Sequence, residues 1–244
     1  MASLSLTRML TVRGLSKRFG PVWALRDASF HVNEGEVLGL IGPNGAGKST
    51  VFQCLAGLLP SDGGEVLSGQ RELEPGKRSS VMLFLPDRIT PWPDQTVDFV
   101  LDFAAHAFGA AQSWAGSARG ETGQVLRLHE LSGKRMGQLS KGQRKRVLLA
   151  MALCAPQPLT LMDEPFDGLD LRHARVVAEY LRAQSRTGRT LFLSIHDMHD
   201  AARVCDRLVL LNEGTVVAEG TPDELRVRAQ KPGGDFEEVF LALT

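Results

Sequence analysis

Gly42-Pro43-Asn44-Gly45-Ala46-Gly47-Lys48-Ser49 follows the order Gly-x-x-x-x-Gly-Lys-Ser, the pattern of a loop that cradles phosphate. Glycine lets backbone N–H groups converge on phosphate oxygens, and a helix starting at Lys48 adds the positive end of its dipole. In such a loop Lys48 holds the β- and γ-phosphates and the Ser49 hydroxyl helps ligate Mg²⁺. Gly42 to Ser49, with Thr50 behind them, are the candidate phosphate-binding residues. Leu159 to Met162 is an apolar run that ends in two carboxylates, Asp163 and Glu164. Asp163 is placed to hold Mg²⁺, and Glu164 to orient and polarise an attacking water; a solvent-facing acidic strand end is the plainer alternative. A second apolar run, Thr190 to Ile195, ends at His196, whose imidazole can sense a γ-phosphate. The pattern alone leaves ATPase, GTPase and small-molecule kinase open. Asn-Lys-x-Asp, the guanine-reading motif, is missing from the sequence, which weighs against GTP.

These residues need strands that end at one edge. Val37 to Ile41 reads as a buried strand, followed by the glycine loop and a helix reaching Leu59, the start of an α/β unit. Pro60 to Gly64 carries strong turn chemistry. Val81 to Leu85, Leu159 to Met162, Thr190 to Ile195 and Arg207 to Leu211 read as further strands, and Asn212-Glu213-Gly214 as a hairpin-like turn into Thr215 to Ala218. Leu6 to Arg13 and Ala24 to Val32 read as antiparallel strands at a sheet edge. Helices are expected over Lys141 to Leu153 and about Arg172 to Arg186, the latter with His173, Val176, Val177, Tyr180 and Leu181 on one stripe. From about Asp94 to Leu139 the pattern turns helical: Thr96 can cap a helix with Val97, Val100, Leu101, Ala104 and Phe108 at helical spacing, Ser113 to Gly123 reads as a loop, and a helical stretch covers Gln124 to Leu131. Thr221 to Glu224 forms a capping box with Pro222 at the first helical position, and Phe236 to Leu243 is apolar enough to dock. The alternation is that of a mostly parallel sheet with helices on both faces.

Together these motifs resemble the ATP-binding subunit family of ABC-type transporters over nearly the whole chain. Leu139-Ser140-Lys141-Gly142-Gln143 is similar to the family's signature motif, Asp163-Glu164-Pro165 to its second nucleotide motif, Phe166 to Asp170 to the loop that meets the partner subunit, and His196 to the switch histidine. Phe19, before Gly20, takes the place of the aromatic that stacks on adenine. The resemblance implies an α/β fold with a P-loop NTPase core, an N-terminal antiparallel β subdomain (both within 1–86 and 140–220), an inserted helical subdomain at about 87–139 and a helical tail at 221–244, forming one ATPase domain. It implies ATP and Mg²⁺ as cofactors, with Glu164, His196, Lys48 and Asp87 in catalysis and Ser49, Asp163 and Asp87 at the metal. It also implies that Ser140, Gly142 and Gln143 of one chain close over the triphosphate held by another, so that two chains sandwich two ATP molecules head to tail. The implied partners are an integral-membrane permease and a second copy of the chain or a related subunit. Glu219 to Pro222 and Phe236 to Phe240 are most similar to the export-type subclass serving drug and polysaccharide permeases.

Two positions depart from the family pattern. Asp87 stands where Gln, or Glu in many export-type members, is usual; its carboxylate falls about 1 Å short of a Glu on the same backbone, a scale to which catalytic positioning is sensitive. Lys141 replaces the second glycine of the signature and is expected to point to solvent. Ser140 and Gln143 read independently as a capping box. Arg144, Lys145 and Arg146 read as a solvated helix face with some electrostatic help for triphosphate. Trp92 reads by default as core, with a permease contact as the minority reading.

Twenty-eight basic residues balance 28 acidic ones, so overall charge does not hold the chain on nucleic acid, and nucleic acid is not an expected partner. No run reaches the roughly 18 apolar residues of a membrane span, so no direct transmembrane insertion is expected. Residues 1–10 do not read as a signal peptide. Cys54, Cys154 and Cys205 are scattered and read as buried hydrophobes in a reducing compartment. The expected location is cytoplasmic, peripheral on the inner membrane face through the permease. Two alternatives differ in class: a soluble ABC-type ATPase without a permease, of the translation or DNA-repair kind, and a nucleotide-dependent scaffold with little turnover. Repair-type relatives carry a long coiled coil and translation-type ones two such domains, neither of which fits 244 residues.

Overall fold

The computed structural model describes residues 7–110 and 119–244. Its larger sheet has six strands in the order β10-β9-β3-β8-β7-β6: β3 (Val37–Ile41), β6 (Met82–Leu85), β7 (Leu159–Asp163), β8 (Thr190–Ser194), β9 (Arg207–Asn212) and β10 (Thr215–Gly220). β6, β7, β8, β3 and β9 run parallel, and β10 returns antiparallel to β9 through the expected hairpin. β3, β7 and β8 are buried at every residue because both faces are covered, which explains their unbroken apolar runs.

Alternate residues serve the two faces. Leu38, Leu40, Leu159, Leu161, Phe192 and Val209 pack with α1 (Lys48–Leu55) and the antiparallel strands. Val37, Ile41, Met162, Leu191, Leu193 and Leu208 face the other way. On that side lie α4 (Lys141–Cys154), α5 (Leu171–Arg186), α6 (Met198–Val204) and α8 (Phe236–Leu243). Phe236, Val239 and Phe240 are buried, so the apolar C-terminal segment does dock. Thr221 caps α7 (Pro222–Arg228) with the expected box and Pro222.

The N-terminal strands are longer than expected and make a sheet of their own. β1 (Arg8–Phe19) and β2 (Val22–Asn33) join β4 (Gly63–Ser68) and β5 (Arg71–Glu72) in the order β2-β1-β4-β5. Gly63 and Gly64, expected in a turn, open β4. Gly64 has φ 88°, and a Cβ there would lie 2.5 Å from the Gly14 carbonyl oxygen of β1; the glycine permits close strand approach rather than a reversal. α1 ends at Leu55 rather than Leu59.

Between β6 and α4 the described residues carry no strand. Thr96 accepts from the Phe99 N–H and caps α2 (Val97–Ala107), whose Val97, Val100, Leu101 and Ala104 are buried. The expected loop lies at 113–118 outside the described residues, and Arg119 already opens α3 (Arg119–Val125), which gives way to a 3₁₀ turn at Leu128–Leu131. Tyr180 OH and His173 Nε2 of α5 bond Thr122 Oγ1 (2.6 Å) and the Val125 carbonyl (2.8 Å). On the α5 stripe Val176 is exposed, unlike its neighbours. All three cysteines are buried and free.

Candidate functional site

Parallel strands bring their carboxyl ends to one edge, and the register here is level: Ser194 of β8 pairs with Leu40 of β3 and with Asp163 of β7. The glycine loop, the acidic pair and His196 therefore emerge side by side. They line a cleft of about 910 Å³, with Asn44, Ser49, Asp87, Asp163, Glu164, Asp167 and His196 on its walls.

The glycine loop leaves β3 and enters α1 with no side chain capping that helix, so its first N–H groups stay available to an anion. Two glycines have no substitute. A Cβ on Gly42 would sit 2.1 Å from the Leu211 carbonyl oxygen of β9, and one on Gly47, at φ 107°, 2.5 Å from that of Ala24 in β2. The loop is thus pinned between the two sheets. Pro43, Asn44, Gly45 and Ser49 are exposed, Thr50 is half-buried, and Ala46 is buried. Lys48 is buried and donates to the carbonyls of Gly42 (2.8 Å) and Pro43 (3.2 Å). Burial lowers its pKa, and the nearby Glu164 and Asp163 carboxylates oppose that shift.

Asp163 joins two elements. Its Oδ2 accepts from Ser49 Oγ at 2.7 Å and its Oδ1 from Ser194 Oγ at 2.5 Å. Ser194 is fully buried, and its Oγ also accepts the Glu164 N–H at 2.9 Å. Glu164 has φ 51°, a left-handed backbone uncommon outside glycine, which turns the chain sharply at the strand end. Burial pushes the Glu164 pKa up; Lys48 draws it down, Asp163 adds to the rise and His196 opposes it. Ser49 Oγ and Asp163 Oδ2 form a hard-oxygen pair of the kind Mg²⁺ uses together with substrate phosphates. Among the described residues no group of three or more His, Cys, Asp or Glu could hold a metal by itself.

Asp87 follows β6 and lines the cleft, but its Oδ1 accepts from Lys145 Nζ at 3.0 Å and its Oδ2 faces Arg88 Nε at 3.4 Å. The expected solvated face of α4 is corrected here. Lys145 is only 2% exposed and also donates to the Glu164 carbonyl at 2.8 Å; Arg146 is buried, donating to the carbonyls of Leu126 (2.7 Å) and Arg127. Both side chains face inward because they share a stripe with Leu149 and Ala150. Only Arg144 of the three is half-buried, bonding the Leu139 carbonyl.

Ser140 caps α4 as expected, exchanging bonds with Gln143 of 3.2 and 3.1 Å. Ser140, Gly142 and Gln143 do not line the cleft. A Cβ on Gly142 would lie 2.2 Å from the Gly168 carbonyl oxygen, so the signature rests directly on the Asp167-Gly168 turn. Lys141 is exposed, as expected, and also pairs with Asp167 of that turn. Phe19 is half-exposed at the β1–β2 hairpin, with Lys17 Nζ 5.6 Å from its ring centre. Trp92 is not core: it is 45% exposed, edge-on to Phe103 at 5.0 Å, and Phe103 stacks on Phe99. No helix among the described residues is long and apolar enough to cross a membrane.

Sequence reasoning passed over Ser194 and placed Lys145 on a solvated face. Ser194 is the polar residue that ends the fully buried strand Thr190–Ser194, and Lys145 stands three and four residues before Leu148 and Leu149. Each signal was present as a polar residue on a buried stripe.

Residues 25–167 match the family model described as ABC transporter. The chain is 34% identical to the sulfoquinovosyl glycerol transport ATP-binding protein SmoE of Agrobacterium fabrum over 94% of its own length, spanning 63% of that relative. It is 35% identical to the Nod factor export ATP-binding protein I of Bradyrhizobium diazoefficiens, over 87% of this chain and 70% of the relative. A solved ATP-binding subunit of an ABC transporter superposes with a TM-score of 0.85 at 30% identity, covering 96% of this chain and 99% of the other.

Proposed function

The chain belongs to the ABC transporter ATP-binding family, and from that membership we propose that it hydrolyses Mg-ATP to drive a membrane permease, through head-to-tail closure of two ATP-binding subunits. Gly42 to Thr50 cradle the triphosphate, with Lys48 leaving the Gly42 and Pro43 carbonyls for the β- and γ-phosphates. Phe19 supplies a face for the adenine. Ser49 and Asp163 hold Mg²⁺, which when bound neutralises charge on the phosphate oxygens. Glu164 orients and deprotonates the attacking water; its raised pKa makes it a stronger base than an exposed glutamate. His196 stands at the γ-phosphate, and Asp87 borders the same space from β6.

The observation that carries this reading is the 2.7 Å contact of Ser49 with Asp163, residues 114 apart in sequence, at the mouth of a cleft that Glu164 and His196 share. The position of Ser140 supports the two-chain arrangement. Its helix start lies off the chain's own cleft, so the anion it suits is one held by a neighbour. With the γ-phosphate bound by both subunits, ATP favours the closed pair, and hydrolysis removes the shared contact. The exposed Trp92, Phe99 and Phe103 beside the Asp87 loop offer an apolar surface for a permease segment. The Nod factor export relative favours an exporter, and attachment to the permease would hold the subunit on the inner face of the membrane.

Light scattering on Glu164→Gln at saturating Mg-ATP tests the reading. A stable dimer is expected, with Lys48→Ala in the same background returning it to monomer through lost triphosphate affinity. A Glu164→Gln protein that stays monomeric and hydrolyses ATP at the wild-type rate would overturn both the closure and the role of Glu164.

A further inference from the structure

Lys145 has a more specific role than burial alone requires. Its ammonium has three protons and three acceptors within reach: Asp87 Oδ1 at 3.0 Å, the Glu164 carbonyl at 2.8 Å and the Asp163 carbonyl at 3.5 Å. They come from the β6 exit and the β7 exit, whereas Lys145 itself sits on the second turn of α4. A buried ammonium persists only when paired, and Asp87 is the carboxylate within salt-bridge distance of it.

Glu164 is gripped on both sides of its left-handed turn: Ser194 Oγ holds its N–H and Lys145 Nζ its carbonyl. Such a backbone conformation persists only where its surroundings fix it, and its φ and ψ set where the carboxylate points. We propose that Lys145 is a positioning residue for ATP hydrolysis. It clamps the Asp87 carboxylate to the backbone of Glu164, so that the helix whose cap reads the neighbouring chain's nucleotide also sets the geometry of its own chain's catalytic carboxylate. Ser140 and Lys145 lie five residues apart on one helix, about 7.5 Å along its axis. A shift of α4 on closure therefore reaches Glu164 and Asp87 without any intervening loop. The short Asp87 also gains an explanation, because the long lysine stem spans the distance that a longer acidic side chain would otherwise cover. The proposal rests on Glu164 being the base, a reading that Glu164→Gln tests separately.

The experiment is a double-mutant cycle on the full chain, reading kcat, KM and the affinity for Mg-ATP. Lys145→Gln is expected to lower kcat about tenfold or more with ATP affinity within twofold of wild type. Asp87→Ala, which removes the acceptor, is expected to do the same, and the double variant to be no worse than either single one, because both remove one clamp. Lys145→Arg, which keeps the charge and can reach both acceptors, should recover most of kcat. An unchanged kcat in Lys145→Gln, or losses that multiply in the double variant, would overturn the proposal, as would a loss confined to KM. Should Lys145→Gln fail to fold, Asp87→Ala reads the same bond from its more exposed side: a kcat loss at unchanged affinity supports the clamp, and a wild-type kcat refutes it. Should Glu164→Gln retain turnover, the base assignment fails whatever the cycle shows.

Discussion

Ser194→Ala removes one oxygen from a position with no solvent exposure. The hydroxyl donates to Asp163 Oδ1 at 2.5 Å and accepts from the Glu164 N–H at 2.9 Å, so its loss orphans a buried carboxylate oxygen and a partly buried amide. Each orphan costs about 1–3 kcal/mol. The carboxylate is partly relieved, because Oδ2 keeps its bond from Ser49, so a total of about 2–4 kcal/mol is expected. For a chain of this length each kcal/mol lowers Tm by about 2–4 °C, giving a fall of roughly 4–16 °C without nucleotide. The second consequence is kinetic. With its amide released, the left-handed Glu164 relaxes, and a misplacement of about 1 Å in a catalytic group can cost about 100-fold. Neither Lys48 nor Ser49 hydrogen-bonds Ser194, so triphosphate affinity should hold within a few-fold. Thermal denaturation beside steady-state ATPase kinetics decides the matter. A Tm within 2 °C of wild type together with a kcat within twofold would refute the role given to this hydroxyl.

Three other outcomes follow from the same geometry. Burial raises the Glu164 pKa in the fold, so the acidic limb of kcat/KM should lie above the ordinary glutamate range of about 4.3 and vanish as a separate limb in Glu164→Gln. Because the folded value exceeds the unfolded one, ionising Glu164 costs the fold stability as pH rises through that interval; Glu164→Gln should therefore raise the nucleotide-free Tm at neutral pH, with the gain fading in acid, and a Tm gain that grows in acid would contradict the shift. Gly47→Ala places a Cβ 2.5 Å from the Ala24 carbonyl oxygen at φ 107°, so it should lose more than about 1 kcal/mol of stability and weaken ATP binding together, measured by thermal shift with and without nucleotide; intact affinity would mean that the loop relaxes without cost.

Local chemistry made much of this molecule readable. The strand, the glycine loop and the start of the helix at Lys48, the caps at Thr96, Ser140 and Thr221, and the β9–β10 hairpin each depend on neighbours a few residues away, and each stands where its residues indicate. Gly63-Gly64 misled for an opposite reason: the same pair that permits a turn also permits β4 to approach Gly14 of β1, and only the pairing of distant strands chooses between them. The basic triplet at 144–146 misled because charged side chains on helices usually meet water, while the stripe of Leu148, Leu149 and Ala150 turned Lys145 and Arg146 toward carbonyls of other elements.

Periodicity reveals which face a residue occupies and leaves its partner unstated, and that distinction governs the site. Asp87 taken alone is a carboxylate too short for its position, an apparent weakening of the machinery. Lys145 taken alone is a charge with no reason to be buried. The 3.0 Å bond between them, 58 residues apart, turns two apparent defects into one arrangement, since the buried cation needs a carboxylate and the short carboxylate needs an anchor. Their common neighbour is the Glu164 backbone, so under the proposed clamp the departure at position 87 holds the Glu164 carboxylate in place and does not argue for an inactive chain.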